Sequence, residues 1–82
     1  MISKKLISIF QEEFKIDAVL RKKLLNNKVD IRLNTFQNWD SMKHVKLLIK
    51  IEKRFKIKIN SKNENFFHSF KTSVKYLSKN FD

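Results

Sequence analysis

The chain contains no cysteine, no glycine and no proline. Without cysteine there are no disulfides, no zinc ribbons and no thiol nucleophile, and a reducing compartment is the natural setting. Without glycine there is no glycine-rich loop to cradle a phosphate. Without glycine and proline the usual punctuation of turns is missing, so boundaries must be read from caps and hydrophobic periodicity. Acidic residues are scarce, 8 against 19 basic ones, and the net charge is +11. No apolar run is long enough to span a bilayer. The opening MISKKLISIFQEEF places lysines before isoleucine and phenylalanine, as a signal sequence does. Gln11, Glu12 and Glu13 interrupt that run early, and no small-residue cleavage site follows. A cytoplasmic protein without a membrane span is expected.

What is present is enough for a core. The 82 residues allow one small domain, 1–82, and the 41% hydrophobic content, with eight phenylalanines, argues against disorder. The charge is uneven: residues 1–40 carry a net +3 and residues 41–82 a net +8. Such a bias suggests a polyanionic partner. It is also what an AT-rich coding sequence produces, since eight asparagines and abundant lysine, isoleucine and phenylalanine accompany the missing glycine and proline. Both readings stay open at this point.

Periodicity predicts helices. Ile2, Leu6, Ile7, Ile9, Phe10 and Phe14 share one side of a first helix that ends near Lys15. The segment IDAVLRKKLLNN forms a short helix, with Asp17 as N-cap and Asn26–Asn27 as the stop. Val29, Ile31 and Leu33 then alternate as in a strand. With no partner strand in sight, the stretch reads as an extended loop pinning apolar side chains onto a helical core. A second main helix runs from Ser41 to about Phe55, and Asp40 or Asn38 can cap it. Lys43, Lys46, Lys50, Lys53 and Arg54 occupy an arc of roughly 100°. Met42, Val45, Leu47, Leu48, Ile49, Ile51 and Phe55 fill the rest with His44 and Glu52, an arc wide enough to predict burial against more than one neighbour. Ser61–Glu64 fits a capping box that opens a short helix through Phe66 and Phe67. Ser69 caps a last helix with a stripe of Phe70, Val74, Leu77 and Phe81. The expected fold is all-α: a small antiparallel four-helix bundle of three main helices and a short third one. A long structured loop joins the first two main helices.

Catalytic constellations are poor. His44 and His68 lie far apart in sequence, and no carboxylate spacing suggests a metal site, so none is expected. His44 and Glu52 on the apolar side of the second main helix read as structural, satisfied at the core edge or bonded to loop backbone. No Ser-His-Asp order and no paired carboxylates are evident, and a non-catalytic protein is expected. The basic arc is nearly all lysine, which makes sequence-specific base readout weak. A solvated face, a surface lying along phosphates or an anionic membrane, and a docking face for an acidic protein are all compatible with it. Ser41 is different. With Asp40 as the cap, its hydroxyl is left at the first helical turn, where backbone N–H groups and the macrodipole favour an anion.

These residues carry a family resemblance. Asp40-Ser41-Met42 resembles the Asp-Ser-Leu mark of the acyl carrier protein family, with methionine in the leucine place. Val45, Leu47, Leu48, Ile49, Ile51, Glu52, Phe55, Ile57 and Ile59 then follow the family pattern in order without a gap, and Val74 and Tyr76 fit the last helix. The resemblance covers Phe36 to Leu77 well and the first helix by pattern only. It implies 4′-phosphopantetheine on Ser41, installed from coenzyme A by a phosphopantetheinyl transferase with magnesium, and an acyl or aminoacyl group held as a thioester. Trp39, Asp40, Met42 and Val45 would flank the arm, with Trp39, Met42 and Val45 as apolar surface beside it. Partner enzymes would dock on Lys43, Lys46, Lys50, Lys53 and Arg54.

The charge departs from the family pattern, whose members are typically acidic on this helix. Like-charge contact opposes docking to fatty-acid synthesis enzymes that present basic patches. The expectation is a monomeric specialised carrier whose loading and consuming enzymes present acidic faces, in a polyketide, peptide or surface-glycan pathway. Nucleic acid is not expected as a partner. The alternatives are a small basic module for nucleic acid or anionic membrane, and a carrier-like protein that is never modified.

Overall fold

The computed structural model describes residues 2–37 and 39–81. The fold is all-α and small: α1 is Ile2–Phe14, α2 Ala18–Leu25, α3 Ser41–Phe55 and α4 Phe70–Phe81, with a 3-10 turn, Glu64–Phe67, before α4. Helix α1 is the element on which the others pack, touching α2, α3 and α4. Its buried side is the one its periodicity predicts, Ile2, Leu6, Ile7, Ile9, Phe10 and Phe14. Glu13 is buried as well, and Lys50 of α3 neutralises it at 3.0 Å. The expected Asn38 cap and the side chain of Phe81 lie outside the described residues.

The termini follow cap chemistry closely. The Asp17 carboxylate accepts from the Leu20 N–H at 2.8 Å and starts α2, and Asp40 does the same for α3 through Lys43 N–H at 2.9 Å. The hydroxyl of Ser69 accepts from Thr72 N–H at 3.1 Å at the start of α4. The capping box expected at Ser61–Glu64 does not form. Asn60 and Asn63 organise that turn, with the Asn63 side chain accepting from Asn60 N–H and the Asn60 side chain from Lys62 N–H. The Glu64 carboxylate, released from backbone capping, turns towards two histidines. The resulting helix is a single 3-10 turn rather than α.

The alternating segment Val29–Leu33 behaves as the extended loop that its pattern suggests. Ile31 is buried and Val29 and Leu33 half-buried. A partner does exist for it, though only as one antiparallel bridge between Arg32 and Ser69. Leu33 N–H donates to His68 O at 2.8 Å and Phe70 N–H to Ile31 O at 3.0 Å. Asp30 accepts from Lys71 N–H at 2.9 Å, so the loop satisfies first-turn donors of α4.

The wide apolar arc of α3 is not wholly buried. Only His44, Leu47 and Ile51 are buried, while Met42 is 72% exposed, Val45 56% and Ile49 46%. The reason is geometric. Helix α3 packs against one main neighbour, α1, and one neighbour covers one stripe.

Four non-glycine residues take positive φ: Lys15 (52°), Asn27 (61°), Asn34 (64°) and Lys56 (55°). Lys15 and Lys56 directly follow α1 and α3, where glycine is the usual residue because a Cβ is unfavourable in the left-handed region. A chain without glycine bears that cost at each site. Replacing Lys56 by Gly is expected to stabilise the fold by about 1 kcal/mol, seen as a raised urea midpoint with unchanged slope. Lys15→Gly should do the same, and the two effects should add.

Candidate functional site

Ser41 is the first residue of α3 and is exposed. Its place is set from both sides. Asp40 caps the helix, and His44 N–H donates to Asp40 O at 2.9 Å. Before the helix, Asn34 N–H donates to Trp39 O at 2.8 Å and Trp39 N–H to Phe36 O at 3.1 Å, which holds the preceding loop against the helix start. The positive φ of Asn34 is what lets the loop turn back there. Among the described residues the Ser41 hydroxyl has no hydrogen-bond partner. It therefore stands free at the N-terminal end of a 15-residue helix, where first-turn N–H groups and the macrodipole favour a negative group.

Trp39 does not form the surface expected of it. It is 1% exposed and lies against Phe10, Phe14 and His44, with ring centroids 5.2, 5.2 and 5.9 Å away. An indole beside an exposed helix start would leave a large apolar area in water, and burial between α1 and α3 removes it. Met42 and Val45 do form exposed apolar surface, on the turn that carries Ser41.

The cationic arc divides. Lys46, Lys53 and Arg54 are exposed. Lys50 is tied to α1, 3.0 Å from Glu13 and 3.3 Å from Glu12, and the hydrogen bond to Glu13, helped by that to Glu12, holds its ammonium above the ordinary range. Lys43 is half-buried beside Glu13, Phe14 and Lys15 around a concavity of about 200 Å³. Glu52 reaches loop backbone, as its position suggests, accepting from Ile59 N–H at 2.8 Å.

The grouping that the sequence does not show is His44, Glu64 and His68. The two imidazoles, 24 positions apart, have centroids 5.4 Å apart. Both Nε2 atoms contact Glu64 Oε2, from His44 at 3.2 Å. The signals were a histidine on the buried stripe of α3 and a Glu-His pair at i,i+4, but only the return of the chain through the 3-10 turn joins them.

These three donors lie within 4.8 Å of one another, a distance compatible with a metal ion. The tautomer of His44 opposes it. The indole of Trp39 can only donate, and its Nε1–H points at His44 Nδ1 at 3.0 Å. Nδ1 therefore accepts, and the proton of the neutral ring sits on Nε2, aimed at Glu64. A metal at Nε2 would require an imidazolate or the expulsion of Trp39 from the core. What remains, Glu64 and His68, is too small a donor set for a structural zinc site. The arrangement is a hydrogen-bond chain from Trp39 through His44 to a carboxylate that also meets His68.

Burial lowers the His44 pKa, and the hydrogen bond and charge of Glu64 offset this only in part. Burial raises Glu64, but bonds from His44 and His68 outweigh it and leave the carboxyl below its ordinary value. Both shifts act in one direction. As the pH falls below 6.5 the unfolded chain takes up a proton at His44 that the folded one refuses, and below 4.5 the same holds at Glu64. The contribution of this chain to stability is complete above 6.5 and declines as the pH falls through the two lowered values. Urea midpoints taken across that range should fall with acidity. His44→Gln, which can accept from Trp39 and donate to Glu64 without titrating, should flatten the upper part of the decline.

No family model, no curated protein and no solved structure matches the chain. Among the described residues no helix is long and apolar enough to cross a membrane.

Proposed function

We propose that the protein is an acyl carrier that holds an acyl or aminoacyl group as a thioester on 4′-phosphopantetheine attached to Ser41. The observation that supports this most is the free, exposed Ser41 hydroxyl on the first turn of α3, with capping already done by Asp40. The attached group would supply the thiol that this cysteine-free chain lacks. Its phosphodiester would sit at the helix N-terminus, where Ser41 and Met42 contribute backbone N–H groups and Lys43 a nearby cation. The chain's own part is positional. Asp40 keeps the helix start in register, the loop bonds at Asn34 and Phe36 keep that start in place, and Met42 and Val45 offer apolar surface to the arm.

On this reading the helices form the antiparallel four-helix bundle of carriers, with the 3-10 turn in place of the short third helix. The protein is a cytoplasmic, monomeric, non-catalytic carrier for a specialised pathway. Its transferase uses coenzyme A and magnesium, and its loading and consuming enzymes present acidic faces. Incubation with coenzyme A, magnesium and a broad-specificity phosphopantetheinyl transferase should add one phosphopantetheinyl group, read by intact mass, and Ser41→Ala should abolish it. If the wild type gains nothing from any transferase tried while a control carrier is modified, the proposal fails.

The docking face on this reading centres on Lys46, Lys53 and Arg54, the exposed members of the arc. A transferase with a basic carrier-binding face should modify the wild type slowly. Lys46→Glu combined with Lys53→Glu should raise the initial rate by roughly tenfold at low salt, with the gain shrinking as salt increases. An unchanged rate would mean that these cations are a solvated face and no more.

A second reading is favoured by one observation. Met42, Val45 and Ile49 form an exposed apolar row on α3, bordered by Lys46 and Lys53. Such a face suits a basic module lying on an anionic membrane, or a nucleic-acid binder, with Ser41 unmodified. Tight, salt-sensitive binding of Ser41→Ala to anionic vesicles or to nucleic acid would favour it.

A further inference from the structure

We infer that the group carried on Ser41 stays outside the core, held out by the Trp39–His44–Glu64 chain, and that the cargo is a short or polar acyl or aminoacyl group rather than a long alkyl chain. The inference rests on the carrier reading and adds to it the chemical class of what is carried.

Of three ways inward for a group tethered to Ser41, two are filled by side chains and the third ends in an open surface hollow. Directly beneath the first turns of α3 lie Trp39, Phe10, Phe14, Leu47 and Ile51, all 2% exposed or less. The aromatic rings meet edge-on or tilted at 5.2 to 5.6 Å between centroids, the spacing of a packed interior. Methylenes forced in among them would have to displace rings already at close contact.

The second way lies between α3 and the 3-10 turn. His44 Nε2–H donates across it to Glu64 Oε2 at 3.2 Å, His68 meets the same oxygen, and the Trp39 indole holds the His44 ring from behind at 3.0 Å. An alkyl chain threaded there would part the Glu64 carboxylate from its donors and strand the His44 Nε2–H in an apolar surrounding. Unpaired polar groups in such a place are strongly disfavoured. The same strip is closed further along by Glu52, whose carboxylate holds Ile59 N–H.

The third way is on the loop side of the helix start. Asn34 and Phe36 are bonded to the Trp39 backbone, and what they leave is an open surface hollow of about 290 Å³ bordered by Asn34, Phe36, Trp39 and Asp40. Its border includes a carboxylate and an amide. A short or polar group can lie there in contact with water. A long alkyl chain would leave most of its length exposed, which the hydrophobic effect opposes. The concavity of about 200 Å³ beside Lys43 is bordered by charged side chains and Phe14, which again suits a polar group better than an alkyl chain. The two larger hollows, about 530 and 380 Å³, are bordered by residues of α1, α2, α4 and the turns beside them, with none from α3.

The test uses the intact protein charged by a transferase from coenzyme A, acetyl-coenzyme A and decanoyl-coenzyme A. Intact mass first establishes that each form is made, and failure at that step counts against the carrier reading alone. The chain has one tryptophan, so the indole N–H resonance reports Trp39 without ambiguity. The holo, acetyl and decanoyl forms are expected to melt within about 1 °C of one another and to share one Trp39 indole position. A decanoyl-dependent rise in melting temperature together with a moved indole resonance would show the chain inside the core and overturn the inference. Glu64→Ala, which opens the strip between α3 and the 3-10 turn, should let the decanoyl chain move the indole resonance. A folded Glu64→Ala whose indole ignores the decanoyl chain would overturn the part assigned to Glu64. The wild-type comparison decides by itself whether the cargo stays outside.

Discussion

The indole N–H of Trp39 donates to Nδ1 of His44, and most of the architecture around Ser41 depends on that bond. It joins the residue before the cap of α3 to a residue one turn inside it, so the helix start cannot shift without breaking it. It decides the tautomer of His44 and therefore directs Nε2–H at Glu64. Through Glu64 and His68 it ties α3 to the 3-10 turn and to the segment that bridges to Arg32. Because Trp39 is also the ring on which Phe10 and Phe14 pack, the polar chain and the apolar core share one residue. Buried polar networks of this kind are worth having only when every member is satisfied, and here each ring nitrogen of His44 has its partner.

This arrangement separates two surfaces of α3. The inner stripe, His44, Leu47 and Ile51, is committed to the core. The outer one offers a free hydroxyl, a row of exposed aliphatic side chains and the cations Lys46, Lys53 and Arg54. A helix anchored on one face and exposed on the other suits a protein that presents something to other molecules. On the carrier reading the basic charge becomes a statement about which enzymes can approach. The absence of glycine marks the chain as well. Left-handed positions after α1 and α3 fall to Lys15 and Lys56, which lowers the stability margin without altering the fold.

Much of this was legible in the residues. The buried side of α1 could be read off its period, and Asp17, Asp40 and Ser69 announced three helix starts through side chains that accept from first-turn N–H groups. The extended character of Val29–Leu33 was visible in its alternation. The place of Glu52 on the apolar side of α3 is compatible with satisfaction at the core edge or by loop backbone, and the second is what forms. Trp39 is buried although its neighbour Ser41 is exposed, because adjacency in sequence says nothing about which way a side chain points at a helix start. The capping-box pattern at Ser61–Glu64 stays unused because asparagines at 60 and 63 take the local backbone donors.

The features legible in the residues alone are local: which segments are helical, where they begin, and that a serine hydroxyl is spared from capping at the start of α3. These follow from periodicity and from hydrogen bonds that span three or four residues. The features fixed by folding are long-range. The meeting of His44 with Glu64 and His68 depends on how the chain returns after α3. The exposure of Met42, Val45 and Ile49 depends on how many neighbours that helix has. Neither is written in a pattern along one segment, because burial and side-chain partnership are properties of pairs of elements, and a periodicity describes only one.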